Sequence, residues 1–232
     1  MVEKTKKITF VVFYLTFFVF IFIIINNTAL IEKYFPVIEF LQDLNKDRPF
    51  LIFIIFIFIF SLISFFGFSL PIVFISGLIF GAVQGVLMSY ISIIFGSYIF
   101  YSLNFELFKN IKIKTYVPLY RNLYKLVNKN EFKVVFFLRF FGFGMPFIFH
   151  NLLPLFFNVK KKTFTIASSL GVIPLSFQSF FGKSIYDSIA SRGKIDKEIF
   201  FDFYFYFPLL IIIFTLLLSL VTQKFFFNQK SK

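Results

Sequence analysis

A chain of 232 residues that is 59% hydrophobic and only 15% charged departs from the roughly 45–50% apolar and 25% charged make-up of a soluble domain, and no soluble fold could hide that much apolar surface. The absence of cysteine and the single histidine, His150, leave no thiol nucleophile, no disulfide and no ligand cluster for a metal, so redox and zinc chemistry are set aside and no cofactor is expected. The formal net charge of +13 is spread over short segments between apolar runs, the pattern of membrane-flanking charge facing anionic lipid rather than of a nucleic-acid binder.

Ile8 to Ile25 is an 18-residue stretch without a charge, preceded by Lys4, Lys6 and Lys7, and it reads as a first transmembrane helix. A signal peptide would share the basic start, but Asn26, Asn27 and Thr28 follow in place of a small-x-small cleavage site. The mixed-charge segment from Asn26 to Pro49, which contains Pro36, reads as a short extramembrane connection closing a first unit, 1–49.

Phe50 to Phe66 is expected to be a second span. From there to Asn104 no charged residue occurs, over about twice the length one crossing needs, so the chain must turn inside the apolar layer. Gly67, Pro71, Gly77, Gly81 and Gly85 are the candidates for that turning, which gives a re-entrant segment at about 67–85, with Val86 to Leu103 as a continuous helix. A helix broken in lipid exposes backbone groups that cost several kcal/mol each, so such a segment must be buried in protein or line a cavity.

Glu106 to Lys133 carries seven Lys or Arg against two Glu. Tyr116, Leu119, Tyr120, Leu123, Tyr124 and Val127 fall at helical spacing, with Arg121, Lys125 and Lys129 on another face. The pattern predicts an amphipathic helix lying on anionic lipid, the alternative being a helix packed on a polar protein partner. Val134 to Val159 is interrupted by Gly142, Gly144, Pro146 and Pro154, predicting a second re-entrant segment at about 140–158. Thr163 to Gly182 makes a further span containing Gly171 and Pro174, which completes a core unit, 50–182. A polar connection from Lys183 to Glu198, a last span from about Ile199 to Val221 and a basic tail form the remainder, 183–232. The expected fold is an all-α polytopic membrane protein with about five transmembrane helices and two re-entrant helical hairpins.

The two broken segments resemble each other: FFGFSLP from Phe65 to Pro71 aligns with FFGFGMP from Phe140 to Pro146 at an offset of 75 residues, identical at five of seven positions. The same offset pairs Gly96 with Gly171. Phenylalanine matches carry little weight in a chain with 45 of them, whereas glycine and proline matches do, because there are 10 and 8. If the first segment enters from one face and the helix after it crosses, the second enters from the other, which makes an inverted repeat and points to a transporter with its site between the halves.

Arg139 stands inside an apolar stretch just before the repeated motif. Near a bilayer centre an arginine costs at least about 2.5–3.5 kcal/mol, so it marks function unless it snorkels to the interface, and it could hold a phosphate or carboxylate headgroup. His150 and Asn151 follow Pro146 closely and are candidates to face a cavity, His150 as a proton shuttle or else a packing residue. Gln84 and Gln178 either line the same cavity or join helices by hydrogen bonds. Asp202 and Glu106 are candidate counter-ions for Arg139 or solvated caps. Gly67, Pro71, Gly77, Gly81, Gly142, Pro146, Gly171 and Pro174 are the candidate turn and hinge residues.

LPIVFISGLIFGAVQG from Leu70 to Gly85 and FFLRFFGFGMPFIFHN from Phe136 to Asn151 resemble the DedA family, also called the VTT-domain or SNARE-associated Golgi protein family. The likeness covers about Phe65 to Gly182. It implies two facing re-entrant hairpins and a role in moving lipids or lipid carriers, with bacterial relatives linked to undecaprenyl phosphate recycling and eukaryotic ones to phospholipid scrambling. Arg139 matches the family's arginine of the second hairpin, and Pro146 and Asn151 its proline and asparagine. The chain departs from the pattern in Gly142, where proline is common, and in Leu155, where glycine is usual. Members proposed to couple transport to protons carry acidic residues in or near the first hairpin, whereas none occurs here between Phe50 and Phe105.

The expectation is a multi-pass protein of a bacterial inner membrane that translocates an anionic lipid or lipid phosphate. Membrane lipids are its partners, nucleic acid is not, and self-association is left open. The rival readings are a non-transporting scaffold for envelope assembly or division and a small-solute carrier of the same fold. An enzyme lacks its parts, since no Ser/His/Asp set, carboxylate pair or metal cluster occurs in the apolar spans. Five crossings would put the termini on opposite faces, with 26–49, 106–133, the lysine triplet at 160–162 and the tail on the more basic one. Two crossings between Gly67 and Asn104 would bring both termini to the same face.

Overall fold

The computed structural model describes residues 28–108, 118–141, 147–193 and 197–227. The expected first span from Ile8 to Ile25, the basic tail, Gly142 and Pro146 lie outside them. Every described element is helical, as the absence of period-2 alternation and the long uncharged runs require. Helix α1 is Thr28–Asp47 and α2 is Pro49–Phe65. Helix α3 is Ser69–Phe108, with a break at Gly81. Helices α4, Pro118–Lys129, α5, Glu131–Phe141, and α6, Phe147–Phe156, follow. Next come α7, Lys161–Gly171, the short α8, Ile173–Ser176, and α9, Ser179–Arg192. A 3₁₀ turn at Lys197–Phe201 leads into α10, Phe203–Phe227.

Two sharp reversals shape the first half. At the end of α2 the Phe68 amide donates to the Ile63 carbonyl (3.3 Å) and the Gly67 amide to the Ser64 carbonyl (2.9 Å), a Schellman cap that needs a left-handed residue at Gly67, where φ is +87°. Gly81 (φ +76°, ψ −172°) occupies backbone space that essentially only glycine enters. A methyl group on Gly85 would lie 2.9 Å from the Ser76 carbonyl oxygen. A straight helix would separate the two residues by about 13 Å, so the chain folds back at Gly81. Residues 82–108 therefore run parallel to α2, with 69–80 antiparallel to both. Phe56 meets Phe80 at 4.8 Å between ring centroids, and Phe65 meets Phe100 at 5.2 Å.

This geometry corrects three expectations. The segment Asn26–Pro49 is not a simple connection, since Thr28–Asp47 is a 20-residue helix lying across the end where Gly81 sits. Gln42 donates to the Leu78 carbonyl at 2.7 Å, which satisfies one of the acceptors that the break at Gly81 exposes. The first hairpin is not centred on 67–85. Its tip is Gly67 and its limbs are α2 and 69–80, so the segment Phe50–Phe66 forms one limb of a helical hairpin. Pro71 is not the turn either: it occupies the first turn of α3, where its missing amide costs nothing.

The second half repeats the plan from the opposite end. Limbs α5 and α6 are joined by the hydrogen bond from Arg139 to Asn151, and α6 ends in a second Schellman cap. There Val159 donates to Pro154 and Asn158 to Leu155, each at 3.0 Å, with Asn158 at φ +52°. Helix α7 then runs parallel to α5. The offset of 75 recurs in the packing. A methyl group on Gly96 would strike the Ser61 carbonyl and the Ser64 side chain, and one on Gly171 would strike the Phe136 carbonyl and the Arg139 side chain, each contact being the first moved by 75 positions. Hairpin 1 opens at the α1 end and hairpin 2 at the α4 end. Their tips meet, because a side chain on Gly67 would lie 2.6 Å from Ile148 Cβ and 2.8 Å from its backbone.

Between helices the contacts are made by small residues that let backbones approach. Gly77 faces the Ser179 carbonyl and Gly182 that of Phe74, while Ser61 and Ser64 donate to the Ser92 and Ile93 carbonyls at 3.3 Å. Large apolar side chains point outward instead, among them Phe50 (76% exposed), Phe58 (65%), Val83 (70%), Leu103 (64%) and Phe214 (61%). Among the described residues one stretch, Ser69–Leu107, is long and apolar enough to cross a membrane, although the reversal at Gly81 divides it into two helices, and the pair Lys161–Gly171 and Ile173–Arg192, bent by 41°, meets the same test jointly. Helices α2 and α6 and residues 203–215 are apolar but shorter.

Gly81 offers a measurement of the cost of its turn. A methyl group there meets nothing nearer than the Lys183 side chain at 3.8 Å, so Gly81→Ala probes backbone strain alone. It is expected to lower stability by about 1–3 kcal/mol, read as a shift in the unfolding midpoint of the detergent-solubilised protein.

Candidate functional site

Arg139 sits in the last turn of α5, 4% exposed, at the position that Ser64 holds in the first half. One guanidinium nitrogen donates to Ser97 Oγ at 3.2 Å and another to Asn151 Oδ1. Above and beside it lie the rings of Phe147 and Phe164, whose centroids are 4.6 and 5.2 Å from Cζ, close enough for cation–π attraction. The four partners come from three elements: Ser97 from α3, Phe147 and Asn151 from α6 and Phe164 from α7.

The local fold explains why they converge. Tyr101 stacks on Phe164 at 4.0 Å and its hydroxyl donates to the Val159 carbonyl, which ties α3 to the Asn158 cap. Lys161 lies 5.2 Å from the Phe105 ring. Helices α3 and α7 therefore run antiparallel with 105 beside 161 and 101 beside 164. The same register places Ser97 opposite Ser168, and Phe164, Ser168 and Gly171 share one face at helical spacing.

All of Arg139's neighbours among these groups are neutral, and no carboxylate of the described residues pairs with it. Asp202, expected as a counter-ion, instead accepts from Ser184 at 2.6 Å and from the Tyr204 amide at 3.1 Å. The site also holds donors to spare. Arg139 Nε, Asn151 Nδ2 and Ser168 Oγ are buried without a hydrogen-bond partner. Burying a charge with neutral partners is costly, and each unmet donor adds to that cost. Together they make an anion-seeking locus.

Of the other sequence candidates, His150 is buried beside Asn151, its ring 5.5 Å from that of Phe147. Gln84 is exposed and Gln178 is half-buried at the start of α9. Both lie near Gly81, where Ser179 donates to the Ala82 carbonyl at 3.3 Å, and so stand apart from Arg139. Gly171 does touch the site, through Arg139 Cβ, whereas Gly77 packs α3 on α9. Pro174 opens the short α8 beyond the end of α7. Ser97, Phe147, Phe164 and Ser168 were not among the sequence candidates. Ser97 had one signal, its place directly after Gly96, the repeated glycine. Among the described residues no group of three or more His, Cys, Asp or Glu could hold a metal. No protein-family model, curated protein or solved structure matches the chain.

Proposed function

We propose that this chain is a multi-pass protein of a bacterial inner membrane, of DedA/VTT type, that moves an anionic lipid or lipid phosphate between leaflets, with Arg139 and Asn151 receiving the headgroup. The observation that carries the reading is a full positive charge, buried between the second hairpin and the helices that carry Ser97 and Phe164, held by neutral groups alone and flanked by unused donors. Such a charge costs stability, and a bound anion would offset that cost. The outward-facing Phe, Leu and Val residues support a lipid environment, because water-exposed apolar surface on this scale is unfavourable. Two broken helices are tolerable in lipid here because each is covered by the other half. The described helices and the expected first span then give four full crossings and two hairpins, in place of five crossings.

The test is flux in reconstituted vesicles. The full chain should accelerate transbilayer movement of a fluorescent anionic phospholipid or a labelled polyprenyl phosphate at least about tenfold over protein-free vesicles, a change of about 1.4 kcal/mol in barrier. Rates no faster than in protein-free vesicles for every lipid, with and without a pH gradient, would remove the transport reading.

A further inference from the structure

The two ends of the bundle differ in how their charges are arranged. At the α1 end the cations are matched by acids: Lys46 pairs with Asp43 at 2.9 Å, Lys183 pairs with Asp187, and Arg192 pairs with Glu198. At the α4 end stand Lys125, Lys129, Lys133, Lys160, Lys161 and Lys162, all exposed. They come from three elements that the fold gathers there. Glu131 at the start of α5 accepts from the Lys160 amide at 3.2 Å, so one of the few acids at this end is spent on the backbone. Helix α4 is seated by Val127, 2% exposed, and by the contact of Tyr124 with Phe157, which leaves Lys125 and Lys129 outward. Tyr124 and Phe132 are 42% and 37% exposed among these lysines, the mixture of aromatic rings and cations found at a lipid–water boundary.

We infer that the α4 end is a docking surface for anionic lipid headgroups and that the charge-matched α1 end is not, so the molecule sits in the membrane with one fixed sense. The structure departs from the sequence expectation here: α1, carrying Lys33 and Lys46 and followed by Arg48, joins α9 at the opposite end, where Phe35 stacks on Tyr186 at 5.5 Å. Six exposed lysines from three elements thus stand together at the α4 end, whereas the α1 end holds three ion pairs. Charge complementarity selects the occupant, since each Lys near an anionic surface adds to the attraction within about a Debye length of 10 Å. The inference rests on the membrane reading but not on any role for Arg139.

The experiment measures how much acyl-chain spin-labelled phosphatidylglycerol, relative to spin-labelled phosphatidylcholine, is motionally restricted by the full chain in phosphatidylcholine vesicles. The natural protein should prefer phosphatidylglycerol by about threefold or more at low salt, with the preference shrinking as salt rises. Replacing the six lysines by Gln should bring the ratio close to one. Lys33→Gln, Lys46→Gln and Arg48→Gln together should leave it unchanged. A natural protein without preference, a six-lysine variant that keeps it, or an α1 variant that loses as much would overturn the inference. Failure to enter vesicles at all would overturn the membrane reading as well. Preferential capture of added RNA in place of the lipid would also overturn it.

Discussion

Arg139→Ala is expected to abolish lipid flux in reconstituted vesicles, by at least about a hundredfold, while leaving the protein inserted and as stable as before or more so. The two halves of this expectation separate a working arginine from a structural one. A buried charge that held the fold together would cost about 3–5 kcal/mol on removal, because its partner would be left unpaired. Arg139's partners are a serine hydroxyl, an asparagine carbonyl and two rings, none of which is a charge left stranded. Removing it takes an ion out of a dry place and leaves a cavity beside Gly171, two terms of opposite sign. A thermal midpoint that falls by more than about 10 °C together with lost flux would show that the arginine is architectural. Unchanged flux would remove it from the site. Arg139→Lys should retain charge but lose the fork that reaches Ser97 and Asn151 at once, so intermediate flux is expected.

Gly67→Val should have the largest effect on stability of any single substitution at a turn. Two costs combine there. A β-branched residue at φ +87° is strained by about 1–3 kcal/mol, and its Cβ would lie 2.6–2.8 Å from Ile148, so the hairpin tips would have to part. Overpacking of this kind adds about 1–3 kcal/mol. Gly81→Ala carries strain without the overlap, so the difference between the variants reports the tip contact. Unfolding midpoints in detergent give both numbers. A Gly67→Val protein no less stable than Gly81→Ala would mean that the tips do not meet in the native protein.

How much of this was legible in the sequence depends on the range of the interaction involved. Helical class, the turning of 67–85 and the likeness of the two halves follow from local signals: uncharged runs, glycine and proline, and a repeated motif. The tip of the first hairpin was misplaced because Pro71 looks like a breaker, whereas four residues past a Schellman glycine a proline simply sits in the first turn of the next helix. Helix α1 was read as a connection because Pro36 and mixed charge obscured its apolar side, which packs Leu41 and Leu44 on the core. Arg139 and Asn151 stood out as polar residues in apolar surroundings. Ser97 and Ser168 did not, because their role comes from a helix register that only tertiary packing sets.

The equivalence of Ser64 and Arg139 has a consequence for vectorial behaviour. The backbone is built from two like halves and treats its two sides nearly alike, but the cation is borne by one half alone. On the proposed transport reading, an anion crossing between the halves would meet an uneven energy profile: its resting place would be displaced toward the hairpin that carries the guanidinium, and the two exit barriers would differ. Such asymmetry could not drive net movement by itself, but it would fix on which side of the midpoint a passenger dwells.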